Sequence, residues 1–438
     1  MVLYNSLFFI VIILGFPFII PIVLLSEKRR KTVLQRLGLA NLPEGIKKNI
    51  SHKPDKKQIW VHALSVGEVI SAVPFVKGLK DSFRNKKIFF SVSTLTGFEI
   101  ADSYVKEFVD EIFFFPYDLV FSVKYIAGII DPDIVIIVET DIWPNFLFEM
   151  KKRNVPVILV NTRLSKKSFS GYKRIRCFME AIFLTFSKIC TQSSEDAQRF
   201  KHLGVPDSKI VITGNFKFDQ EYDFMSETEI QSLKQSINIL PAQKIILAGS
   251  THKGEESIIL NAFEKIIAMY SDVVLIVAPR DPRRAESVCR HFLSAGFSAI
   301  TLKNVNRRKQ GEVLKVIVVD TIGLLTKLYA VADIAFVGGS LVNCGGHNPL
   351  EPAALSKPII FGPDMSDFAE TSKMLVESGG AVRVQNAESL YETFANLLGN
   401  RTKSQNMGKR VFQVYSANSG AVKKTIGVVD SLLQLKSK

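Results

Sequence analysis

Two α/β domains, each built on a mostly parallel sheet with helices on both faces, are what this 438-residue sequence predicts. Three observations lead there. From Ile59 onward, apolar and β-branched runs of strand length alternate with helix-patterned stretches. A polar, acidic stretch from Gly214 to Ser236 interrupts the alternation near mid-chain. At Lys244 the same pattern begins again, and the length suits two domains rather than one.

The first element precedes both domains. Val2 to Leu25 carries no charged side chain, enough to cross about 30 Å of hydrocarbon as a helix. Glu27 and then Lys28-Arg29-Arg30-Lys31 follow, with Arg36 further on, so the positive-inside rule keeps this flank and the bulk of the protein cytoplasmic. A cleaved signal peptide would have its charges before the apolar core and small residues after it, the reverse of what stands here. Gly15, Pro17 and Pro21 weaken a straight helix and also suit a kinked or interfacial anchor.

Strands are predicted at Ile59–Leu64, Ile88–Ser93, Ile134–Val138 and Val157–Val160, with shorter runs at Glu111–Phe115, Ile189 and Ile210–Ile212. In the second half they fall at Ile245–Ala248, Val273–Val277, Val316–Val319, Ile334–Val337 and Pro358–Phe361. Each half opens with an apolar strand, a Gly/Ser turn and a glutamate at a helix entrance. Two Rossmann-like domains facing a cleft is the inference. Cys177, Cys190, Cys289 and Cys344 lack metal-ligand spacing and read as reduced thiols in or near cores. The formal charge of +14 implies attraction to polyanions, and beside an anchor that means an anionic membrane rather than nucleic acid.

Ser65-Val66-Gly67-Glu68 is the most informative tetrapeptide. It puts Glu68 at a helix entrance on the carboxyl end of a strand, where open α/β sheets bind ligands. There the helix dipole favours an ionised carboxylate able to accept a proton, although a plain helix cap would use the same residue. Glu139-Thr140-Asp141-Ile142-Trp143-Pro144-Asn145 delivers two acids from a very apolar strand, for an orienting or charge-stabilising role; no histidine or third acid nearby supports a metal. Asp131-Pro132-Asp133, at the amino end of that strand, reads as a turn.

Arg163, Lys166, Lys167, Lys173, Arg174 and Arg176 form a solvated basic helix face or, beside an anchor, a contact for an anionic lipid headgroup. Lys217, in Gly214–Asp219, is placed to neutralise a phosphate or a developing anion near the cleft, or is an ordinary exposed linker lysine. Pro279-Arg280-Asp281 follows a strand, so Arg280 can grip phosphate, unless it pairs with Asp281. The glycines of Gly338-Gly339-Ser340 and Gly345-Gly346-His347-Asn348 permit backbone N–H groups to approach a phosphate, and Glu351 can accept from ribose hydroxyls.

Together these segments resemble the 3-deoxy-D-manno-oct-2-ulosonic acid (Kdo) transferases of lipopolysaccharide biosynthesis. The matching pieces are His62 with Ser65–Glu68, Glu139–Asn145, Asn161–Ser165 with Gly171-Tyr172, Gly214–Asp219, Gly249–Glu256, Pro279-Arg280 and Phe336–Ala354, in the family's order. The resemblance implies a membrane-anchored inverting glycosyltransferase of B type that moves Kdo from CMP-Kdo to lipid A precursor (lipid IVA) without a metal or other cofactor. It implies Glu68 as general base, Glu139 and Lys217 as transition-state stabilisers, and CMP contacts from Pro279, Arg280, Ile322, Gly323, Leu324, Asn348, Pro349, Leu350 and Glu351. Arg163, Lys166, Lys167, Lys173 and Arg174 are the acceptor-side candidates. Asp281 stands where the family often has histidine, Leu324 where some members have glutamate, and Asp141 where glutamate is frequent.

The expected layout is an anchor over 1–26, a first domain for the acceptor over 27–215 and a linker over 216–240. A CMP-sugar domain over 241–410 and a helix over 411–438 that can cross back to the first domain complete it. The expected location is the inner membrane, with the domains on its cytoplasmic side. The alternatives are a UDP-sugar-dependent transferase of the same fold and a non-catalytic sugar-nucleotide-binding membrane protein. A dinucleotide oxidoreductase is disfavoured because no G-x-G-x-x-G opens either half.

Overall fold

Unbroken apolar runs become the central strands, buried on both faces, and among the described residues fourteen strands form two sheets. The computed structural model describes residues 4–6, 10, 14–15, 25–39, 43, 46, 58–222, 224–307 and 313–435. The chain divides into two units, Met1–Gln220 with Ser419–Lys438, and Glu221–Asn418.

Unit one holds β1 (Gln58–Ala63), β2 (Lys87–Val92), β3 (Glu111–Phe114), β4 (Ile134–Val138), β5 (Val157–Thr162), β6 (Lys188–Thr191) and β7 (Ile210–Ile212). They are parallel, in the order β3-β2-β1-β4-β5-β6-β7. Side chains alternate across the sheet. Trp60, Val135 and Ile137 enter one core, and Ile59, Val61, Ile134 and Ile136 the other.

The last helix, Ala421–Leu435, belongs to this unit: Ala421, Val429 and Leu433 are buried in its second core. It lies close against the helix Val66–Ser82 because position 78 is glycine; a Cβ there would stand 2.7 Å from Ile426 Cδ1. The polarity of 216–240 conceals how far unit one extends into the predicted linker. Phe216 and Phe218 are buried, and Phe216 stacks on Phe75 at 5.0 Å. Asp219 accepts from the N–H groups of Gly420 and Val422, at 2.5 and 2.6 Å, tying the start of the last helix to the end of the 1–220 stretch. The helices Glu227–Ser236 and Arg401–Asn418 lie in unit two, so the chain changes units at 220/221 and 418/419 rather than across 216–240 and at 411.

Unit two holds β8 (Lys244–Thr251), β9 (Val273–Pro279), β10 (Ala299–Thr301), β11 (Val316–Val318), β12 (Ile334–Val337), β13 (Ile359–Phe361) and β14 (Ala381–Arg383). They are parallel, in the order β10-β11-β9-β8-β12-β13-β14. The edge strands β10 and β14, three residues each, are too short for a hydrophobic period to show in sequence.

Most of the predicted anchor lies outside the described residues. Among the described residues no helix is long and apolar enough to cross a membrane. Two positions within it contact unit one: Tyr4 Oη donates to Asp118 Oδ2 at 2.9 Å, and Asn5 Oδ1 accepts from Asn145 Nδ2 at 2.7 Å. Cys190 and Cys289 are buried thiols as expected for core positions, but Cys177 and Cys344 are exposed.

Candidate functional site

Strand order reverses between β1 and β4 in unit one and between β8 and β12 in unit two. At such a switch point the loops leave the carboxyl ends in opposite directions and open a crevice. Glu68 and Glu139 follow the two strands that flank the first switch point, and Gly338 to Glu351 follows β12 at the second.

In unit one, Ser65 caps the helix Val66–Ser82, its Oγ accepting from Glu68 N–H at 3.4 Å. The Glu68 side chain folds back so that Oε2 accepts from Leu64 N–H at 2.6 Å and Oε1 from Ser65 Oγ at 3.2 Å. The helix dipole leads one to expect an ionised Glu68; the structure reverses this. Burial, together with the charges of Glu139 and Asp141, outweighs the two hydrogen bonds and pushes its pKa up to about 8.

Left-handed residues mark the carboxyl ends of β4 and β5: Glu139, just past β4, at φ 61°, and Asn161, next to last in β5, at φ 52°. Glu139 N–H still donates to Val160 O at 2.8 Å, so the turn comes at the last ladder bond. Burial raises the Glu139 carboxyl, and the nearby charges of Lys217 and Arg163 oppose that rise. Lys217 is held by the 3-10 turn Phe216–Asp219, whose first residue is fixed by Phe216 N–H donating to Asn161 Oδ1 at 3.0 Å. Lys217 thus belongs to a unit-one turn, not to a linker.

Asp141 is held by two ring N–H groups. Its Oδ2 is shared by His62 Nε2 at 2.9 Å and Trp143 Nε1–H at 2.7 Å. His62, fully buried, stacks on Phe115 at 3.9 Å and turns Nδ1 to Ser91. Asp118 caps the following helix, Pro144–Lys152, by accepting from the N–H groups of Asn145 and Phe146 at 3.0 and 2.8 Å. Its pKa is pushed up to about 6 by burial, against those bonds. Arg36, the last cation of the helix Glu27–Leu37, donates to Phe115 O at 2.9 Å and Ser93 O at 3.1 Å and lies over Tyr117. It is therefore pinned at the carboxyl edge of β2 and β3. Asp131 and Asp133 lie at the opposite end of β4, Asp133 accepting from Gln58 N–H at 2.8 Å.

Lys166, Lys167, Lys173 and Arg174 are exposed on the helix Lys166–Arg174, which buries no residue; Arg163 is exposed just before it. Arg176 faces Glu180 at 3.9 Å.

In unit two, Glu255 at the entrance of the helix Glu255–Met269 is wholly buried. Its carboxylate accepts from the N–H groups of Gly339 at 2.7 Å, Ser340 at 3.0 Å, Leu341 at 2.9 Å and His252 at 2.9 Å. The amides expected to cradle phosphate are thus already engaged. Gly345 N–H goes to Asp364 Oδ2 at 2.7 Å, and Gly346 N–H to Gly339 O at 3.0 Å. These glycines serve close packing instead: a Cβ on Gly338 would meet Ser250 O at 2.5 Å.

Arg280 follows Pro279, the last residue of β9, and its N–H donates to Thr251 O at 3.0 Å. Its guanidinium is not paired with Asp281, which is bound by Arg283 at 2.9 Å. The positive charge of Arg280 opposes the rise that burial imposes on Glu351, and it helps hold the His347 pKa down at about 4, where burial is the larger cause. His347 Nε2 lies 2.8 Å from His252 Nε2, with the rings stacked. Glu351 Oε2 accepts from Thr326 Oγ1 at 3.0 Å. Asn348 Oδ1 accepts from Leu350 N–H at 3.0 Å, and its Nδ2 donates to Tyr222 Oη at 3.3 Å. Pro349 caps the short helix Leu350–Ala354. Ile322 is 87% exposed, Gly323 has φ 87° and Leu324 is half-buried. Among the described residues no group of three or more His, Cys, Asp or Glu side chains is arranged to hold a metal ion.

Residues 31–220 match the family described as 3-deoxy-D-manno-octulosonic-acid transferase (kdotransferase). The 3-deoxy-D-manno-octulosonic acid transferase of Haemophilus influenzae is 34% identical over 386 residues, covering 87% of this chain and 88% of that protein. The chain belongs to this family. A protein of the same description from Rickettsia bellii is 29% identical over 100% of the chain and 99% of its own length. Among solved structures, UDP-GlcNAc 2-epimerase from Neisseria meningitidis bound to UDP-GlcNAc superposes with a TM-score of 0.59 at 13% identity, covering 85% of this chain and 100% of that one.

This Kdo transferase is a glycosyltransferase whose two parallel-sheet α/β units resemble the B-type fold. Unit one brings Glu68, Glu139, Arg163 and Lys217 into one electrostatic group. Unit two brings Arg280, His347 and Glu351 into another. Sequence reasoning missed Arg36, Asp118 and Glu255. Arg36 was read only as part of the basic flank, and no local pattern marks Asp118. Glu255 had one visible signal, its place at the helix entrance matching that of Glu68.

Proposed function

We propose that this Kdo transferase moves Kdo from CMP-Kdo to a hydroxyl of lipid A precursor, with inversion at the anomeric carbon. The observation that carries the reading is Glu68, a nearly buried carboxyl at the unit-one switch point with a pKa of about 8. A carboxylate made this basic by burial takes a hydroxyl proton far more readily than an exposed one.

In the proposed reaction the acceptor oxygen attacks the anomeric carbon from the face opposite CMP. Its proton passes to Glu68, and the bond to the phosphate oxygen breaks with its electron pair leaving on CMP. Arg280 stabilises the charge that gathers on that phosphate, and Glu351 with Asn348 holds the ribose. Glu139, between Lys217 and Arg163, stabilises the charge developing on the sugar. The acceptor, phosphorylated and acylated, accounts for the exposed basic helix Lys166–Arg174. The apolar amino-terminal segment attaches the enzyme to the cytoplasmic side of the inner membrane. The bonds of Tyr4 and Asn5 to unit one support a segment lying in the interface.

The test is a donor panel, CMP-Kdo against UDP-sugars, with tetra-acylated lipid A precursor and mass spectrometry of the product. Transfer from CMP-Kdo alone is expected. Transfer from a UDP-sugar would replace the donor assignment, and nucleotide binding without product would remove the catalytic one.

A further inference from the structure

The amino edge of the unit-two sheet carries a second concentration of charge, remote from the residues proposed to bind the donor. A groove of about 510 Å³ opens there between the starts of β8 and β12, the turn before β13 and the helix Arg401–Asn418. Lys234, Lys244, Lys357 and Arg401 line it, with Gln405 beside them and Asp333 as the one acid. Asp333 is already committed, Oδ2 accepting from Ile245 N–H at 2.8 Å.

Two of the ammonium groups are held in place. Lys357 Nζ donates to Ala330 O at 2.8 Å and Lys244 Nζ to Leu398 O at 3.2 Å. Each ammonium has three protons, so these bonds leave donors to spare. Arg401 opens an 18-residue helix, whose amino end adds partial positive charge. Burial lowers the Lys357 pKa, with Lys234 lowering it further while Asp333 and Glu227 oppose. Four like charges around one groove repel one another, and although carbonyls hold Lys357 and Lys244 in place, Asp333 is the one acid among the lining residues. An anion relieves that repulsion.

We propose that this groove binds a phosphate group, at a site separate from the donor edge. β8 runs from Lys244 at the groove to Thr251 at the donor edge, eight residues, which as a strand spans roughly 25 Å. One phosphate cannot serve both. The ligand is a phosphomonoester or diphosphate, either on a soluble metabolite or on a lipid headgroup.

The test uses the full chain and inorganic pyrophosphate, titrated calorimetrically in an Arg280→Ala background so that the donor edge contributes little. Saturable binding is expected, weakened at least tenfold by Lys234→Ala with Arg401→Ala. Among the described residues neither side chain has a hydrogen bond or ion pair, the Ile239 N–H bond going to the Lys234 backbone carbonyl, and circular dichroism checks that the variant is folded. Vesicles containing phosphatidic acid separate the two sources. The readout is the extra retention on these vesicles over neutral phosphatidylcholine vesicles, which bind the apolar amino-terminal segment equally. Loss of that extra retention in the Lys234→Ala, Arg401→Ala variant, reproduced in the wild type by added pyrophosphate, assigns the headgroup. Unchanged extra retention with weakened pyrophosphate binding assigns a soluble phosphate. Binding indifferent to Lys234 and Arg401, or no saturable binding up to about 1 mM (a free energy of only about 4 kcal/mol), overturns the proposal.

Discussion

Glu68 and Glu255 stand at equivalent places, each at the entrance of the helix that follows the first strand of its sheet, and they do opposite things. Glu255 collects four backbone N–H groups and is buried completely. Its carboxylate organises the turn after β12. Glu68 receives one backbone N–H and one hydroxyl, and two further carboxylates crowd it. The same residue type at the same point serves the fold where amides saturate it and stays chemically available where they do not. Burial alone does not separate the two; the count of donors does.

The comparison breaks first at Glu68. Glu68→Gln should lower kcat by about 100- to 10,000-fold with CMP binding nearly unchanged. At pH 9, where the wild-type group is ionised in its desolvated place, the variant should also melt higher, by about 2 °C or more. A variant with near-normal kcat would reduce Glu68 to a helix cap.

Glu255→Ala should do the reverse. It strands buried amides at about 1–3 kcal/mol each, so a stability loss of about 3 kcal/mol or more is expected in denaturant unfolding. An unchanged midpoint would mean that the turn holds itself.

Next in size is the pH dependence. Glu68 acts deprotonated, and its folded pKa lies near 8, so kcat/KM should rise about tenfold per unit below that pH and level off above it. The Asp141 charge raises that pKa, so Asp141→Asn should move the midpoint to lower pH. A profile already flat at pH 6 would contradict the raised value.

Arg280→Ala and Glu351→Ala should each weaken CMP by about tenfold, the scale of one charge-assisted contact, measured by calorimetry. Smallest is the exposed helix. Replacing Lys166, Lys167, Lys173 and Arg174 by glutamine should raise KM for acceptor in vesicles by a few-fold and flatten its salt dependence, leaving KM for CMP-Kdo alone. An equal loss with detergent-dispersed acceptor would point to direct contacts with the acceptor's phosphates.

What was legible in the sequence follows from the range of the interactions involved. β1, β4, β8 and β12 announce themselves because a strand buried on both faces must be apolar throughout. Glu68 with its Ser65 cap is a local pattern within four residues. The partners of Glu255 lie some eighty residues away, at Gly339, Ser340 and Leu341, and no spacing rule connects them. The same distance problem misassigned the glycine amides to a phosphate: their conformational freedom was visible, their acceptors were not. The charge state of Glu68 was misread because the dipole is a local effect, whereas its burial and acidic neighbours arise only on folding.

Asp219 tethers the start of the last helix to the end of the 1–220 stretch, and the core of unit one is closed by Ala421, Val429 and Leu433. Unit one is therefore discontinuous along the chain, while unit two is one uninterrupted stretch. During synthesis, which runs at about 5–20 residues per second, the unit begun first has to wait until Ala421–Leu435, made after all of unit two, has emerged before its apolar face is covered. Unit two, though made later, can complete its own core sooner. A chain stopped at residue 220 would leave uncovered the apolar face that Ala421, Val429 and Leu433 close.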